Sequence, residues 1–147
     1  MPAHTAVSDR LRSWGRAAFR PTRQRRLLRA DLEFVLQQDP DLIFLDPGNL
    51  SIVAEEAKSK RDYFASLKAV KTGNVYAMPS YNQYSTNIAY SLANAYYAGT
   101  VLFPKQFADV DFAARFNEIV TFFNGRGWYD RMAALGQPYG KIAFPGL

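Results

Sequence analysis

The chain has 147 residues, 48% of them hydrophobic and 15% aromatic, enough to bury one core and too few for two ordinary domains. It contains no cysteine, which excludes a disulfide framework and a thiolate metal site while leaving the redox compartment open. The net charge of +5 invites a nucleic-acid reading until it is divided along the chain.

Residues 1–30 hold the excess. They carry Arg10, Arg12, Arg16, Arg20, Arg23, Arg25, Arg26 and Arg29, no lysine, and a single acid, Asp9. From Asp31 onward acids slightly outnumber bases, so the high charge belongs to the leader alone. The expected organisation is an Arg-rich leader over 1–30, disordered or non-native, ahead of one domain over 31–147. The leader has no apolar h-region and so is no secretory signal. Arg29, Asp31 and Glu33 break the apolar run after Arg25-Arg26, against a twin-arginine signal. No stretch approaches the length of a membrane-spanning helix. An alternative function is a nucleic-acid-binding or regulatory α/β module using this basic leader, in which Trp14 and Phe19 are interleaved.

Order is predicted to begin near Ala30, with Asp31 capping a short helix through Leu32, Phe34, Val35 and Leu36 and Glu33 in its first turn. Asp41 to Asp46 is a nearly continuous apolar run bounded by turn signals, the pattern of a parallel strand buried on both faces. Pro47-Gly48-Asn49 closes it. A helix is predicted over Ser51 to Leu67, with a break near Lys60-Arg61, then a turn over Ala69 to Asn74 and a strand over Val75 to Met78.

Pro79 ends that strand in a polar, aromatic loop, Ser80-Tyr81-Asn82-Gln83-Tyr84-Ser85-Thr86-Asn87. The next helix is rich in small apolar residues (Ile88, Ala89, Leu92, Ala93, Ala95, Ala98), so it should pack closely on the sheet and stop before Pro104. Asp109 to Asn124 reads as an amphipathic helix with Phe112, Phe116, Ile119, Val120 and Phe123 inward and Gly125 as its carboxyl cap. A short helical turn at Trp128 to Met132 follows, then an edge strand over Gly140 to Phe144. This alternation implies the α/β class, with a small, mostly parallel sheet flanked by helices.

The usual catalytic constellations are absent or weak: Glu55-Glu56 and Asp109/Asp111 are paired acids, but on helices or at helix starts such pairs more often serve as solvated face and cap. His4, in the leader, is the only histidine, which removes a Ser-His-Asp triad and a histidine metal site from the domain. No spaced glycine set forms a phosphate loop. No catalytic residue, metal ligand or cofactor is assigned, and the chain is expected not to be an enzyme. What remains is the loop, standing where open α/β sheets bind ligands, at the carboxyl end of a strand and the amino end of a helix. Two compatible readings apply to it. Ser85 or Thr86 caps the following helix while Tyr81 and Tyr84 pack as partly buried aromatics; and Tyr81, Asn82, Gln83, Tyr84 and Asn87 face a ligand, offering broad ring faces, hydroxyls and amides. Asp46, Pro47 and Asn49 make a weaker case at the end of the other strand.

Three segments resemble one family. Asp31-Leu-Glu-Phe-Val-Leu-Gln-Gln-Asp-Pro-Asp-Leu-Ile-Phe-Leu-Asp46 is similar to a signature of the iron-siderophore, haem and cobalamin binding proteins of ABC importers. Leu67-Lys-Ala-Val-Lys-Thr-Gly-Asn-Val-Tyr-Ala-Met78 resembles their "L-x-A-V-K-x-G-x-V-Y" segment. Leu102-Phe103-Pro104, followed by Phe107-Ala-Asp-Val-Asp111, resembles a third, and all three stand in the family's order. The resemblance implies a single Rossmann-like lobe, the carboxyl-terminal one of two, whose ligand is an iron complex, another metal chelate or an oxyanion. It implies a periplasmic or extracytoplasmic receptor that closes on its ligand and docks on a membrane permease, with Glu33 in the docking position and the Tyr81–Asn87 loop lining the cleft. The amino-terminal lobe and the signal are not recognisable here, so a half-site is expected, and a cytoplasmic location if the chain is expressed as given.

Overall fold

The computed structural model describes residues 32–82 and 85–147. The leader, the Asp31 cap, Gln83 and Tyr84 lie outside the described residues.

Helix α1 (Leu32–Gln38) carries Glu33 in its first turn and buries no residue fully. It ends through Asp39, whose φ of 36° lets its amide donate to Val35 C=O at 3.0 Å before Pro40 forbids continuation. The Asp39 carboxylate then accepts from the Lys68 amide at 2.8 Å, while Lys68 also pairs with Asp41. One short acidic turn thus ties the entry of β1 (Ile43–Leu45) to a later helix start.

After β1, a 3₁₀ turn (Pro47–Asn49) leads into α2 (Leu50–Ser59) and α3 (Arg61–Ser66), the break falling at Lys60 as the sequence predicts. Lys68–Lys71, which overlaps the turn predicted over Ala69 to Asn74, forms a single helical turn, α4; Thr72 Oγ1 donates back to Lys68 C=O at 2.9 Å. Strand β2 (Val75–Ala77) follows.

The sheet order is β1-β2-β3, with β3 being Gly140–Lys141. β1 and β2 run parallel, Ile43 facing Val75 and Leu45 facing Ala77. β2 and β3 run antiparallel, Tyr76 facing Lys141, and the Ile142 amide extends the pairing to Val75 C=O at 2.9 Å. The sheet is therefore mixed rather than mostly parallel, because the chain, after two further helices, returns alongside β2 in the opposite direction. The burial pattern is corrected as well. Val75 and Ala77 of the central strand are buried, whereas every residue of β1 is only half-buried, since among the described residues β1 has a strand neighbour on one side alone.

Helix α5 (Ile88–Leu102) and helix α6 (Phe112–Asn124) pack on each other. Asp111 caps α6, its carboxylate accepting from the Ala114 amide at 3.1 Å, so the helix starts at Phe112 rather than at Asp109 as expected, while Gly125 ends it in the left-handed region, as the sequence predicts. The packing of α5 on the sheet differs from expectation. Ala89, Ala93 and Tyr97, at i, i+4 and i+8, are buried with Asn94, while Ile88, Leu92 and Leu102 are exposed. The small residues at 89 and 93 admit the aromatic face of α6, so α5 is covered chiefly by α6 rather than by the sheet; Tyr97 reaches β1 through Phe44, ring centroids 6.0 Å apart. Phe123, expected inward, is exposed with Phe122, in the last turn of α6.

The core has two parts. One joins Ala89, Ala93, Phe116, Val120 and Met132 with a rim of Tyr90, Phe112, Trp128, Tyr129 and Tyr139. Its rings meet mainly edge to face, Phe112–Tyr139 at 4.9 Å and Tyr97–Tyr139 at 5.0 Å, an arrangement favourable by about 0.5–1.5 kcal/mol per pair beyond area burial. The other joins Ala57, Val75 and Phe144 with Leu45, Val53, Phe64, Val70 and Ile142, fastening α2 and α3 to the sheet. Among the described residues no helix is long and apolar enough to cross a membrane.

Candidate functional site

Because β1 and β2 are parallel, their carboxyl ends emerge on the same edge of the sheet, joined there by the Met78 amide donating to Leu45 C=O at 2.9 Å. Two polar turns therefore stand side by side: Asp46–Asn49 after β1, and the loop from Pro79 after β2.

In the first turn, one carboxylate oxygen of Asp46 accepts from the Gly48 amide at 3.0 Å and its C=O from the Asn49 amide at 3.0 Å. Asp46 is thus a turn-holding residue. Asn49 is exposed and its side chain makes no capping bond to α2, leaving the amide for solvent or a ligand.

The second loop is clamped at its base. Tyr81 C=O accepts from the Asn87 amide at 2.7 Å, and Asn87 Oδ1 accepts from the Tyr90 amide at 3.1 Å. The helix cap is therefore Asn87 rather than Ser85 or Thr86, since only Asn87 stands in extended backbone directly before the first helical residue. Asn87 was also a candidate ligand residue; its oxygen is spent on the helix, which leaves its Nδ2. Ser80 Oγ donates to Asn82 Oδ1 at 3.1 Å, orienting the Asn82 amide. Tyr81 is 41% exposed. Of the candidates, Tyr81, Asn82, Asn87, Asp46 and Asn49 thus all stand on the turns at the strand ends.

Asn94 and Tyr139 were missed in the sequence. Asn94 is 7% exposed; its Nδ2 donates to Pro79 C=O at 2.8 Å, and its Oδ1 accepts from Tyr139 Oη at 2.6 Å. This buried chain pins the start of the loop to the aromatic core, which a loop carrying binding groups requires. The available signal was one polar residue in the helical row Tyr90, Asn94, Tyr97. A second chain fixes the other flank: Trp128 Nε1 donates to Tyr90 Oη at 3.2 Å, and Tyr90 Oη to Met132 Sδ at 3.4 Å.

Burial raises the Tyr97 phenol to about 12 and pushes Tyr139 higher still, because the charged form loses its hydration. Tyr97 Oη is buried without a hydrogen-bond partner among the described residues; the Gly140 backbone lies near enough to offset part of the shift but outside bonding geometry. Both phenols are therefore neutral packing groups at physiological pH.

Glu33 stands apart from this edge, exposed in the first turn of α1. Among the described residues no group of three or more His, Asp or Glu side chains could hold a metal ion. The arrangement brings hydroxyl and amide groups, one carboxylate and the Tyr81 ring together at the strand ends. No protein-family model matches the chain, and no curated protein matches it.

Proposed function

We propose that the chain is a ligand-binding lobe of an ABC-importer solute receptor, a single Rossmann-like lobe that takes an iron complex, another metal chelate or an oxyanion, and that it acts by binding rather than catalysis. The observation that carries this reading is the pairing of two polar turns on one edge of the parallel β1–β2 unit, with the Tyr81 loop clamped at its base and pinned to the core through Asn94. Ligands of open α/β sheets sit at that edge. A second lobe facing this wall supplies the remaining contacts, and closure of the two on the ligand precedes docking on the permease through Glu33. The three resembling segments fall on α1 and β1, on α4 and β2, and on the α5–α6 connection, so they support the same reading from a different direction.

The test is an NMR titration of the full chain with ferric siderophores, haem, cobalamin and metal oxyanions. The expected result is weak binding, with shifts concentrated at residues 46–49 and 78–87. Micromolar or tighter binding would overturn the half-site, and shifts confined to other surfaces would overturn the receptor reading. For Glu33, the Glu33→Ala variant is expected to lose capture by the permease while keeping ligand binding.

A further inference from the structure

Beyond the carboxyl end of α6 the chain forms a small recess of about 240 Å³, lined by Arg126, Gly127, Trp128, Arg131 and Leu135. Its backbone is built rather than loose. Gly125 turns the chain at φ 82°, its amide bonded to Thr121 C=O at 2.8 Å. Asn117 Oδ1 then accepts from the Tyr129 amide at 2.9 Å, and the path passes so close to Asn117 that a Cβ at Gly127 would come within 2.4 Å of that oxygen. The 3₁₀ turn Tyr129–Arg131 follows, its Arg131 amide bonded to Trp128 C=O at 3.0 Å. Arg126 and Arg131 are thereby set on either side of Trp128 in sequence, on a pinned turn.

The chemistry of the lining is specific. Trp128 is half-buried with its single donor committed to Tyr90 Oη, so it presents apolar ring surface, and Leu135 adds more. Both arginines are exposed, and among the described residues no ion pair engages either of them; Asp130, between them on the same turn, is exposed and pairs with neither. Guanidinium groups meet carboxylates through two parallel hydrogen bonds and stack on flat rings. The volume lies just below the usual range for drug-sized ligands, which sizes the recess for a small acid rather than a chain.

We infer that this recess binds a small planar anion, an aryl or heteroaryl carboxylate, its ring against Trp128 and Leu135 and its carboxylate on Arg126 and Arg131. The site is distinct in position and chemistry from the wall at the strand ends, which carries no basic group among its candidate residues, and it stands or falls independently of the receptor reading.

The experiment uses the full chain, ¹⁵N-labelled, titrated separately with 2-naphthoate, its neutral analogue 2-naphthamide, and inorganic phosphate. The signals followed are the Trp128 indole N–H and the backbone of residues 125–136. Saturable shifts with naphthoate at a Kd below about 1 mM are expected, with the amide and phosphate each weaker by about tenfold or more, the scale of one charge-assisted hydrogen bond. Arg126→Ala and Arg131→Ala should each weaken naphthoate by about tenfold with thermal unfolding unchanged, as befits exposed side chains. Equal binding of the amide would remove the charge from the proposal, and equal binding of phosphate would remove the ring; either overturns it. So would unaltered binding in both variants, shifts confined to residues 1–31, or no saturable shift.

Discussion

The strand-end wall and the Trp128 recess lie at opposite ends of the polarity scale, yet both hang from the same aromatic core. The wall offers neutral hydroxyls and amides, with Asp46 its one acid, and its loop is pinned by Asn94 to Pro79. The recess offers two guanidinium groups around an indole that is tied through Tyr90 to the start of α5. Tyr90 and Asn94 are one helical turn apart, so a single helix supports both surfaces. The difference shows how a rigid scaffold can carry unlike chemistries on separate loops: the core sets position, and the loop residues set what can bind.

The strongest way to break the comparison is to remove the shared support. Phe116 is fully buried and meets Tyr90, Phe112, Tyr129 and Tyr139; Phe116→Ala should cost about 3–5 kcal/mol, read by urea unfolding, and should loosen both surfaces together in amide hydrogen exchange. If only one surface loosens, the common-core argument is wrong.

Asn94→Ala separates the two. It strands Pro79 C=O and Tyr139 Oη, each costing about 1–3 kcal/mol when left unsatisfied. Faster exchange is expected around residues 79–82, with the Trp128 indole signal unmoved. A smaller effect follows from Asn87→Ala, which removes the α5 cap and should cost about 1 kcal/mol, with fraying confined to the first turn of α5. A Ser85→Ala variant, by contrast, should leave stability unchanged, since Asn87 holds the cap.

The smallest structural change gives the finest test. Tyr97→Phe deletes a buried hydroxyl that has no hydrogen-bond partner among the described residues, so stability near neutral pH should hold or rise slightly. At high pH the effect becomes larger. The Tyr97 phenol sits near 10 when unfolded and at about 12 when folded, so its contribution is full below pH 10 and is lost as pH rises from about 10 through about 12. Unfolding curves measured at pH 9 and at pH 11.5 should converge for Tyr97→Phe more than for the parent chain; equal alkaline loss in both would place the sensitivity at Tyr139 instead.

Local chemistry was readable where a residue acts on its own neighbours. Gly125 ends α6 because glycine alone enters the left-handed region at no cost, whereas the helix start expected at Asp109 falls three residues later, where the Asp111 carboxylate caps the Ala114 amide. The break at Lys60 and the strand ending at Pro79 were legible for the same kind of reason. Choosing Asn87 over Ser85 or Thr86 as the cap was not, because all three can cap and only the backbone path decides which one stands at the helix start. The expectation that α5 packs on the sheet missed its main partner, because Leu92 and Ala93 are equally apolar in sequence; what buries Ala93 is the bulk of the α6 aromatics opposite it.

The sequence by itself determined the order of helices and strands, the turn chemistry that places polar residues after β1 and β2, and the absence of cysteine chemistry throughout. Tertiary structure alone decided three things: that β3 returns antiparallel beside β2, that Asn94 meets Tyr139 across 45 positions of chain, and that Arg126, Trp128 and Arg131 share one recess. The physical reason is common to all three. Each depends on groups whose proximity no local propensity encodes, brought together only when the aromatic faces of α5 and α6 exclude water between them.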